Sequence, residues 1–403
     1  MPSISERSKQ TPESPIRKLV PFAEAAQKRG TKVYFLNIGQ PDLEPPTSFW
    51  TALENRGSKM VAYGHSAGLP SLREKAIKAY RERGIVLKAN ELIITTAGSE
   101  GLMFAMMACL NPGDEIIVPE PLYANYIGFA AMTDVNIVPI PTYIEDSFAL
   151  PGVEEFERRI TPRTKAILIC NPNNPTGCVY SRKQLEELRD LALAHDLYVF
   201  ADEVYRQFNY TGEPIPSVLQ LEGLEQHAVC VDSVSKTFSL CGARVGFLMS
   251  RNAEVMAGAL RFAQARLSAP VLEQAGVEGA LDADQAYFDE IRVEYMARRD
   301  LMLDRLSKIP GVKVPKVDGA FYAMIQLPID DSDRFCQWML EEFSHNGATV
   351  MTAPGTGFYA TEGAGKNEVR IAYVLKREDL DAAMDCLEAG LAAYPGRVEL
   401  ANA

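Results

Sequence analysis

The stretch 233–244 combines two serine hydroxyls, a lysine and an arginine, namely Ser233, Ser235, Lys236 and Arg244. An apolar run precedes it and a second apolar run follows, so Lys236 is expected in a short loop between two strands. A primary amine held among hydroxyls beside a guanidinium suits a lysine that forms a Schiff base next to a phosphate group. The same short pattern also occurs in solvated turns, so its meaning depends on the rest of the chain.

A possible anion site lies earlier in the chain, where Ala97-Gly98-Ser99-Glu100-Gly101 joins a predicted strand to a predicted helix. Backbone N–H groups near Ser99 and Glu100 can face an anion there, with support from the helix dipole. Many α/β units begin a helix in this way, so the motif alone is a weak signal.

Two more polar motifs follow predicted strands. Asn171-Pro172-Asn173-Asn174-Pro175-Thr176-Gly177 forms a rigid turn after the strand 165–170, and the amide of Asn174 can donate to a phenolate oxygen. Ala201-Asp202-Glu203-Val204-Tyr205 ends the next strand, where the carboxylate of Asp202 can hold a protonated ring nitrogen. Tyr205 can donate to the same phenolate as Asn174. A solvated acidic pair at a strand end is the alternative for Asp202 and Glu203.

Composition excludes several classes of function. The 403 residues carry 41 basic and 53 acidic side chains, a net charge of −12 that argues against a nucleic-acid or anionic-membrane binder. Seven cysteines without a C-x-x-C pair indicate free thiols in a reducing cytosol. No apolar signal region, no transmembrane stretch, no P-loop and no metal site is predicted, so we expect a cytoplasmic protein.

The order of elements predicts an α/β fold. From residue 90 to about 250, β-branched runs alternate with helices, which indicates a mostly parallel sheet covered on both faces. A long helix over about 285–308 follows, and shorter strands and helices after Pro310 indicate a smaller α+β unit. We therefore expect a flexible tail over 1–14, an N-terminal segment over 15–47 that packs with the small domain, a large domain over 48–295 and a small domain over 296–403.

These motifs together resemble the pyridoxal-phosphate-dependent aminotransferases of fold type I, class I/II, the aspartate aminotransferase superfamily. N-P-x-N-P-T-G, A-D-E-x-Y, S-x-S-K-x-F-x-x-x-G-x-R-x-G and a late R-I-A-Y occur here in the family's order, and the resemblance covers roughly residues 15–395. It implies a large α/β/α domain that binds pyridoxal 5′-phosphate and a smaller α+β domain.

The resemblance assigns cofactor roles residue by residue. Lys236 becomes the Schiff-base lysine, and Asp202 becomes the partner of the pyridine nitrogen. The phosphate would be held by Ser99 and Glu100 at the helix start together with Ser233, Ser235 and Arg244. The ring would be held by Asn174 and Tyr205 at its oxygen and by stacking on Tyr123. Tyr63 matches a tyrosine that reaches the phosphate of the partner subunit, which implies a homodimer with composite sites.

Substrate roles also follow from the resemblance. Arg370 matches the arginine that clamps the substrate α-carboxylate in a bidentate pair, Gly39 matches a glycine that closes over that carboxylate, and Asn174 also contacts substrate. Arg266 is the candidate cation for a substrate side chain, although its stretch does not align cleanly with the family pattern; a solvated arginine at a helix end is the alternative.

The implied reaction is transfer of an amino group from an L-amino acid, with aspartate favoured, to a 2-oxo acid such as 2-oxoglutarate by a ping-pong cycle. Two alternatives stay open on the same scaffold: aminotransferases for aromatic, methionine or broad substrates, and other reactions such as C–S lysis. A cofactor-binding transcriptional regulator is disfavoured by the acidic charge and by the short stretch before the match.

Overall fold

A computed structural model describes residues 2–57 and 59–398. Met1, Ser58 and residues 399–403, which belong to segments assigned above, lie outside the described residues. The strands of the described part are β1 Lys32–Phe35, β2 Leu92–Thr95, β3 Glu115–Glu120, β4 Asn136–Pro141, β5 Thr164–Cys170, β6 Tyr198–Asp202, β7 Ala228–Ser233, β8 Gly246–Met249, β9 Tyr322–Gln326, β10 Ala348–Met351, β11 Ala353–Pro354 and β12 Glu368–Ala372.

The α-helices connect and cover these strands. They are α1 Glu6–Gln10, α2 Val20–Lys28, α3 Thr47–Glu54, α4 Pro70–Glu82, α5 Ala97–Cys109, α6 Asn125–Thr133, α7 Val153–Glu157, α8 Arg182–Ala194, α9 Val234–Thr237, α10 Ala253–Arg266, α11 Val271–Ala280, α12 Gln285–Ser307, α13 Ser332–Glu341 and α14 Arg377–Ala393. Within the described ranges, no helix is both long and apolar enough to span a membrane.

A seven-stranded sheet forms the centre of the fold, in the order β2-β8-β7-β6-β5-β3-β4. Five neighbouring strands, β4, β3, β5, β6 and β7, pair in parallel, whereas β8 runs antiparallel to both β7 and β2. Parallel strands need helical crossovers, and these place helices on both faces of the sheet. The predicted fold class, a mostly parallel sheet in an α/β unit, is confirmed.

Alternating residues along each strand face opposite sides of this sheet. In β5, Leu168 packs into one hydrophobic cluster with α5 and α6, while its neighbours Ile167 and Ile169 pack into another with α4 and α8. This period of two explains why the sequence shows continuous apolar runs, since both faces of each strand are buried.

Two smaller sheets lie beside the central one. β1 pairs in parallel with β10, which joins the N-terminal segment to the C-terminal part of the chain. β11, β12 and β9 form an antiparallel sheet. The domain boundary expected within α12 stays a prediction.

Two segments differ locally from expectation. The tail contains the short helix α1, because Ser5 caps its start and accepts a hydrogen bond from the Ser8 N–H. Lys236 lies on the single turn α9 rather than in an open loop, since Ser233 caps that turn by accepting from the Ser235 N–H.

Gly177 lies where the turn after β5 packs closely against the start of β9. Its φ of +74° lies in the left-handed region, and a Cβ there would lie 2.6 Å from the carbonyl oxygen of Tyr322. Its own carbonyl accepts from the N–H groups of Asp318 and Gly319. Only glycine satisfies both the conformation and this close approach.

Gly177→Ala is expected to destabilise the protein more than Gly212→Ala, a matched control with φ +82° and no atom within 4 Å of the added Cβ. The control is expected to lose about 1–2 kcal/mol of unfolding free energy, because alanine is strained in the left-handed conformation. Gly177→Ala is expected to lose about 1–3 kcal/mol more, because its Cβ also clashes with neighbouring atoms. Chemical denaturation of both variants measures the difference. Equal losses would show that the chain at Gly177 moves aside without cost.

Candidate active site

A cavity of about 260 Å³ opens at the carboxyl ends of β5, β6 and β7 and reaches the small antiparallel sheet. Most of the residues singled out from the sequence line it, although they come from distant parts of the chain: Gly39, Ser99, Tyr123, Asn174, Asp202, Tyr205, Ser233, Ser235, Lys236, Arg244 and Arg370. The carboxyl edge of parallel strands is where open α/β sheets bind ligands, because the loops there diverge.

The amine of Lys236 is held within this cavity by the N-terminal segment. Its Nζ donates to the carbonyl oxygen of Gly39 at 2.7 Å and lies 3.7 Å from Sγ of Cys241. A Cβ on Gly39 would lie 1.8 Å from the hydroxyl of Tyr322, so a side chain at this position would collide with the site. The backbone of Gly39 therefore approaches the lysine closely because it has no side chain.

A set of anion-binding groups surrounds the base of the lysine turn. The hydroxyls of Ser233 and Ser235 lie 2.8 Å apart, and the hydroxyl of Ser233 also donates to the Val245 carbonyl at 2.9 Å. Arg244 lines the cavity, as does the start of α5 at Ser99. Hydroxyls, a guanidinium and the N-terminus of a thirteen-residue helix are groups that suit a phosphate.

Asp202 is a buried carboxylate, with 5% of its surface exposed. Its Oδ2 accepts from the hydroxyl of Tyr126 at 2.8 Å, and its Oδ1 accepts weakly from the Val204 N–H at 3.4 Å. Burial raises the pKa of Asp202 to about 6, although the Tyr126 hydrogen bond opposes this shift. Tyr126 was missed from the sequence; its position three residues after Tyr123 was the available signal.

A network of polar side chains joins the two sheets across the cavity. The amide of Asn174 donates to the hydroxyl of Tyr205 at 3.1 Å and accepts from Nη1 of Arg370 at 3.0 Å. The hydroxyl of Tyr205 also lies 3.2 Å from that of Tyr322, a second residue that the sequence did not single out. Each member is thereby oriented by its neighbours.

Arg370 is a buried arginine, with 2% of its surface exposed, and only part of its guanidinium is hydrogen-bonded. Its Nη2 donates to the Asn37 carbonyl at 2.5 Å, and its guanidinium lies over the rings of Tyr322 and Phe358 at 4.4 and 4.7 Å. Its buried Nε has no hydrogen-bond partner among the described residues. Burial lowers the pKa of Arg370, which favours a carboxylate ligand that would restore the lost solvation.

Three of the residues singled out do not line this cavity. Arg266 donates from Nε to the Glu100 carboxylate at 3.1 Å and from Nη2 to the Ile94 carbonyl at 3.1 Å. The same Glu100 carboxylate accepts from the Thr96 N–H at 2.7 Å, so it caps α5 instead of facing the cavity. Arg266, the candidate cation for a substrate side chain, therefore lies outside the cavity of its own chain, and its guanidinium forms a partly buried ion pair with Glu100. Tyr63 is 83% exposed on the outside of the chain.

Comparison with known proteins matches this geometry. The family Aminotransferase class I and II matches residues 31–387. The aromatic-amino-acid aminotransferase 2 of Thermococcus litoralis is 32% identical over 96% of this chain and 97% of its own. The aspartate/prephenate aminotransferase of Thermus thermophilus is 33% identical over 89% of this chain and 91% of its own. A solved mutant of the T. thermophilus aspartate aminotransferase superposes with a TM-score of 0.89 at 30% identity, over 97% of this chain and all of that one.

The chain therefore belongs to the class I and II aminotransferase family. Its reaction is the transfer of an amino group between an amino acid and a 2-oxo acid, and its cofactor is pyridoxal 5′-phosphate.

The residues present fit that cofactor. Asp202 is a buried carboxylate without an ion-pair partner among the described residues, which suits a protonated ring nitrogen. The same cavity presents the amine of Lys236 and the phosphate-binding groups near Arg244. Each polar part of the cofactor therefore has a complementary group on the chain.

The buried state of Asp202 predicts how the stability of the cofactor-free protein depends on pH. The folded-state pKa of about 6 exceeds the unfolded value near 3.8, so the folded state binds more protons between them. Stability from this group is then present at low pH and lost as pH rises through 6, by up to about 3 kcal/mol. Asp202→Asn removes this loss, so its stability relative to wild type is expected to increase from pH 4 to pH 8.

Chemical denaturation of the cofactor-free proteins across that range tests this, with Asp146→Asn as control. Asp146 is exposed, and its side chain makes no hydrogen bond or ion pair among the described residues. A difference between wild type and Asp202→Asn that is constant with pH would contradict the buried-carboxylate argument.

Proposed function

We propose that the residues lining the cavity carry out amino transfer in the roles that the motifs suggested. The single observation that supports this most is one cavity that joins the amine of Lys236, the carboxylate of Asp202 and the guanidinium of Arg370. Transamination of an α-amino acid requires three groups: an amine, a carboxylate that pairs with the protonated ring nitrogen, and a cation that binds the substrate carboxylate.

When bound, pyridoxal 5′-phosphate supplies an aldehyde for the amino group and a ring that withdraws electrons from the substrate Cα. Lys236 would hold that aldehyde, and its amine would move a proton to and from the substrate Cα as general base and acid. Asp202 would keep the ring nitrogen protonated. Asn174 and Tyr205 would hold the ring oxygen and Tyr123 the ring. Ser99, Ser233, Ser235 and Arg244 would hold the phosphate.

Arg370 orients the substrate. Two groups already fix its guanidinium, and its Nε is free to donate, so a substrate carboxylate can complete its hydrogen bonds. Asn174 contacts Arg370 and Gly39 lines the same cavity, so both are available to complete the α-carboxylate site. Holding the carboxylate fixes the direction of the Cα–H bond relative to the ring, which favours proton removal over decarboxylation.

We propose aspartate as amino donor and 2-oxoglutarate as acceptor. The support comes from relatives named aspartate aminotransferase, such as that of Pyrococcus abyssi, which is 32% identical over 96% of this chain. Arg266 adds no support from within its own chain, because that side chain is paired with Glu100.

A homodimer is also proposed, in the cytoplasm. Large apolar side chains are exposed on neighbouring segments, namely Trp50, Met60, Val61, Tyr63 and Leu267. α3, which carries Trp50, packs on α11, and a Cβ on Gly64 would lie 3.7 Å from Cβ of Ser268, so these segments adjoin one another. An exposed apolar surface of this kind is typical of a subunit interface.

The donor and reaction type are tested together with purified holoenzyme. Aspartate with 2-oxoglutarate is expected to give glutamate and oxaloacetate, without release of ammonia and pyruvate. Lys236→Ala is expected to abolish turnover while still binding the cofactor non-covalently. Ammonia release from donors with a β-leaving group as the main reaction would favour the C–S lyase alternative, and turnover by Lys236→Ala near the wild-type rate would exclude Lys236 as the proton carrier.

If each site is built from two subunits, Tyr63 is expected to donate to the cofactor phosphate of the partner subunit. The holoenzyme is expected to sediment as a dimer, and Tyr63→Phe is expected to weaken cofactor binding about tenfold by loss of a charge-assisted hydrogen bond. Tyr143→Phe is the matched control, since Tyr143 is also an exposed tyrosine, at 59%. A fully active monomer, or equal cofactor affinity for both variants, would contradict the composite site.

A further inference from the structure

Among the described residues, four cationic side chains line the cavity, which is one more than the proposed function uses. Lys236, Arg244 and Arg370 take the cofactor aldehyde, the phosphate and the substrate α-carboxylate. Arg17 is the fourth. A positive charge at the edge of a substrate cavity, with no role in binding the cofactor, raises the question of which anion it meets.

The backbone around Arg17 is fixed by its neighbours. Arg17 begins a 3-10 turn over Arg17–Leu19, and Leu19 is buried. Pro15 packs so closely on Gly357 that a Cβ there would lie 2.2 Å away. Lys18 pairs with Asp333 on α13. This segment is therefore attached to the C-terminal part of the chain on both sides of Arg17.

Ile16 connects this segment to the α-carboxylate site. It packs against the cluster that contains Phe358, and Phe358 in turn lies against the guanidinium of Arg370. Ile16, the residue directly before Arg17, therefore packs against the same cluster as Arg370, the proposed ligand of the α-carboxylate. A substrate held by Arg370 would extend its side chain within the cavity that Arg17 also lines.

The charge of Arg17 is not paired with another side chain in the described part of the protein. Its guanidinium makes no hydrogen bond or ion pair with any described residue, whereas the adjacent Lys18 is paired. Arg266, the other candidate cation, is committed to Glu100. Of the two arginines, only Arg17 both lines the cavity and keeps its donors available.

We propose that Arg17 binds the distal carboxylate of dicarboxylic substrates, that is, of an acidic amino donor and of the matching 2-oxo acid acceptor. This inference rests on the proposed function and names the substrate class of that site. A ping-pong cycle brings donor and acceptor into the same cavity in turn, so one cation serves both. Because Arg17 is exposed, it can return to water when an apolar donor binds, and it therefore favours dicarboxylates without excluding other donors.

The test uses holoenzyme and the donor half-reaction, followed by the cofactor absorbance. Arg17→Gln is expected to lower kcat/KM about tenfold for aspartate and glutamate and to change it less than about twofold for alanine and leucine. Arg17→Lys is expected to retain most of the dicarboxylate preference. Lys28→Gln is the matched control, because Lys28 is an exposed cation on α2 that does not line the cavity.

A second measurement does not depend on turnover. Titration of the holoenzyme with succinate, a dicarboxylate without an amino group, is expected to give a Kd about tenfold higher for Arg17→Gln than for wild type. The Kd for butyrate is expected to stay the same in both proteins.

The outcomes separate this inference from the proposed function. A wild-type holoenzyme that transaminates none of the donors would overturn the proposed function itself. A wild-type enzyme that transaminates alanine or aspartate, with Arg17→Gln affecting all donors equally or none of them, would overturn only the role of Arg17. An equal effect of Lys28→Gln would also overturn it, because the effect would then be one of net charge.

Discussion

The buried guanidinium of Arg370 is the interaction on which the geometry of the site depends. It lies on β12, donates to the turn after β5 through Asn174 and to the segment after β1 through Asn37, and stacks on Tyr322 of β9. One side chain therefore sets the relative position of three chain segments that are distant in sequence. Burying a cation is costly, and its unpaired Nε leaves part of that cost for a bound carboxylate to offset.

Asp202 is the counterpart of Arg370 with the opposite charge. Both are buried and both line the same cavity. Burial raises the pKa of Asp202 and lowers the pKa of Arg370, so it favours the neutral form of each group. Neither has an ion-pair partner in the described part of the chain, so the protein alone leaves two opposite charges incompletely solvated. A cofactor with a protonated nitrogen and a substrate with a carboxylate supply the missing charges. The affinity for both ligands thus comes partly from groups that are desolvated before binding.

The sequence predicted well the parts of the site that lie within continuous motifs. Asp202 ends a strand, and Asn174 and Lys236 each lie within a few residues after one. Strands buried on both faces give long apolar runs that are easily recognised. Tyr126 and Tyr322 were missed because they reach the site through contacts with residues far along the chain, namely Tyr126 with Asp202 and Tyr322 with Tyr205. The pairing of Arg266 was not foreseen for the same reason, since its partner Glu100 lies 166 positions away. Motif spacing describes local geometry, whereas pairing across the fold is decided by packing.

The contrast in burial between Arg370 and Arg17 determines how strictly each carboxylate of a substrate is required. A ligand without an α-carboxylate leaves the buried Arg370 unpaired, and the full cost of its desolvation is then felt. A ligand without a distal carboxylate leaves only an exposed arginine, which water solvates again at little cost. In the roles proposed for the two arginines, the α-carboxylate would be obligatory and the distal one a preference. Relatives that share this fold are named for both aspartate and aromatic donors. Changes at an exposed N-terminal residue can alter such a preference without disturbing the buried network that holds the cofactor and the α-carboxylate.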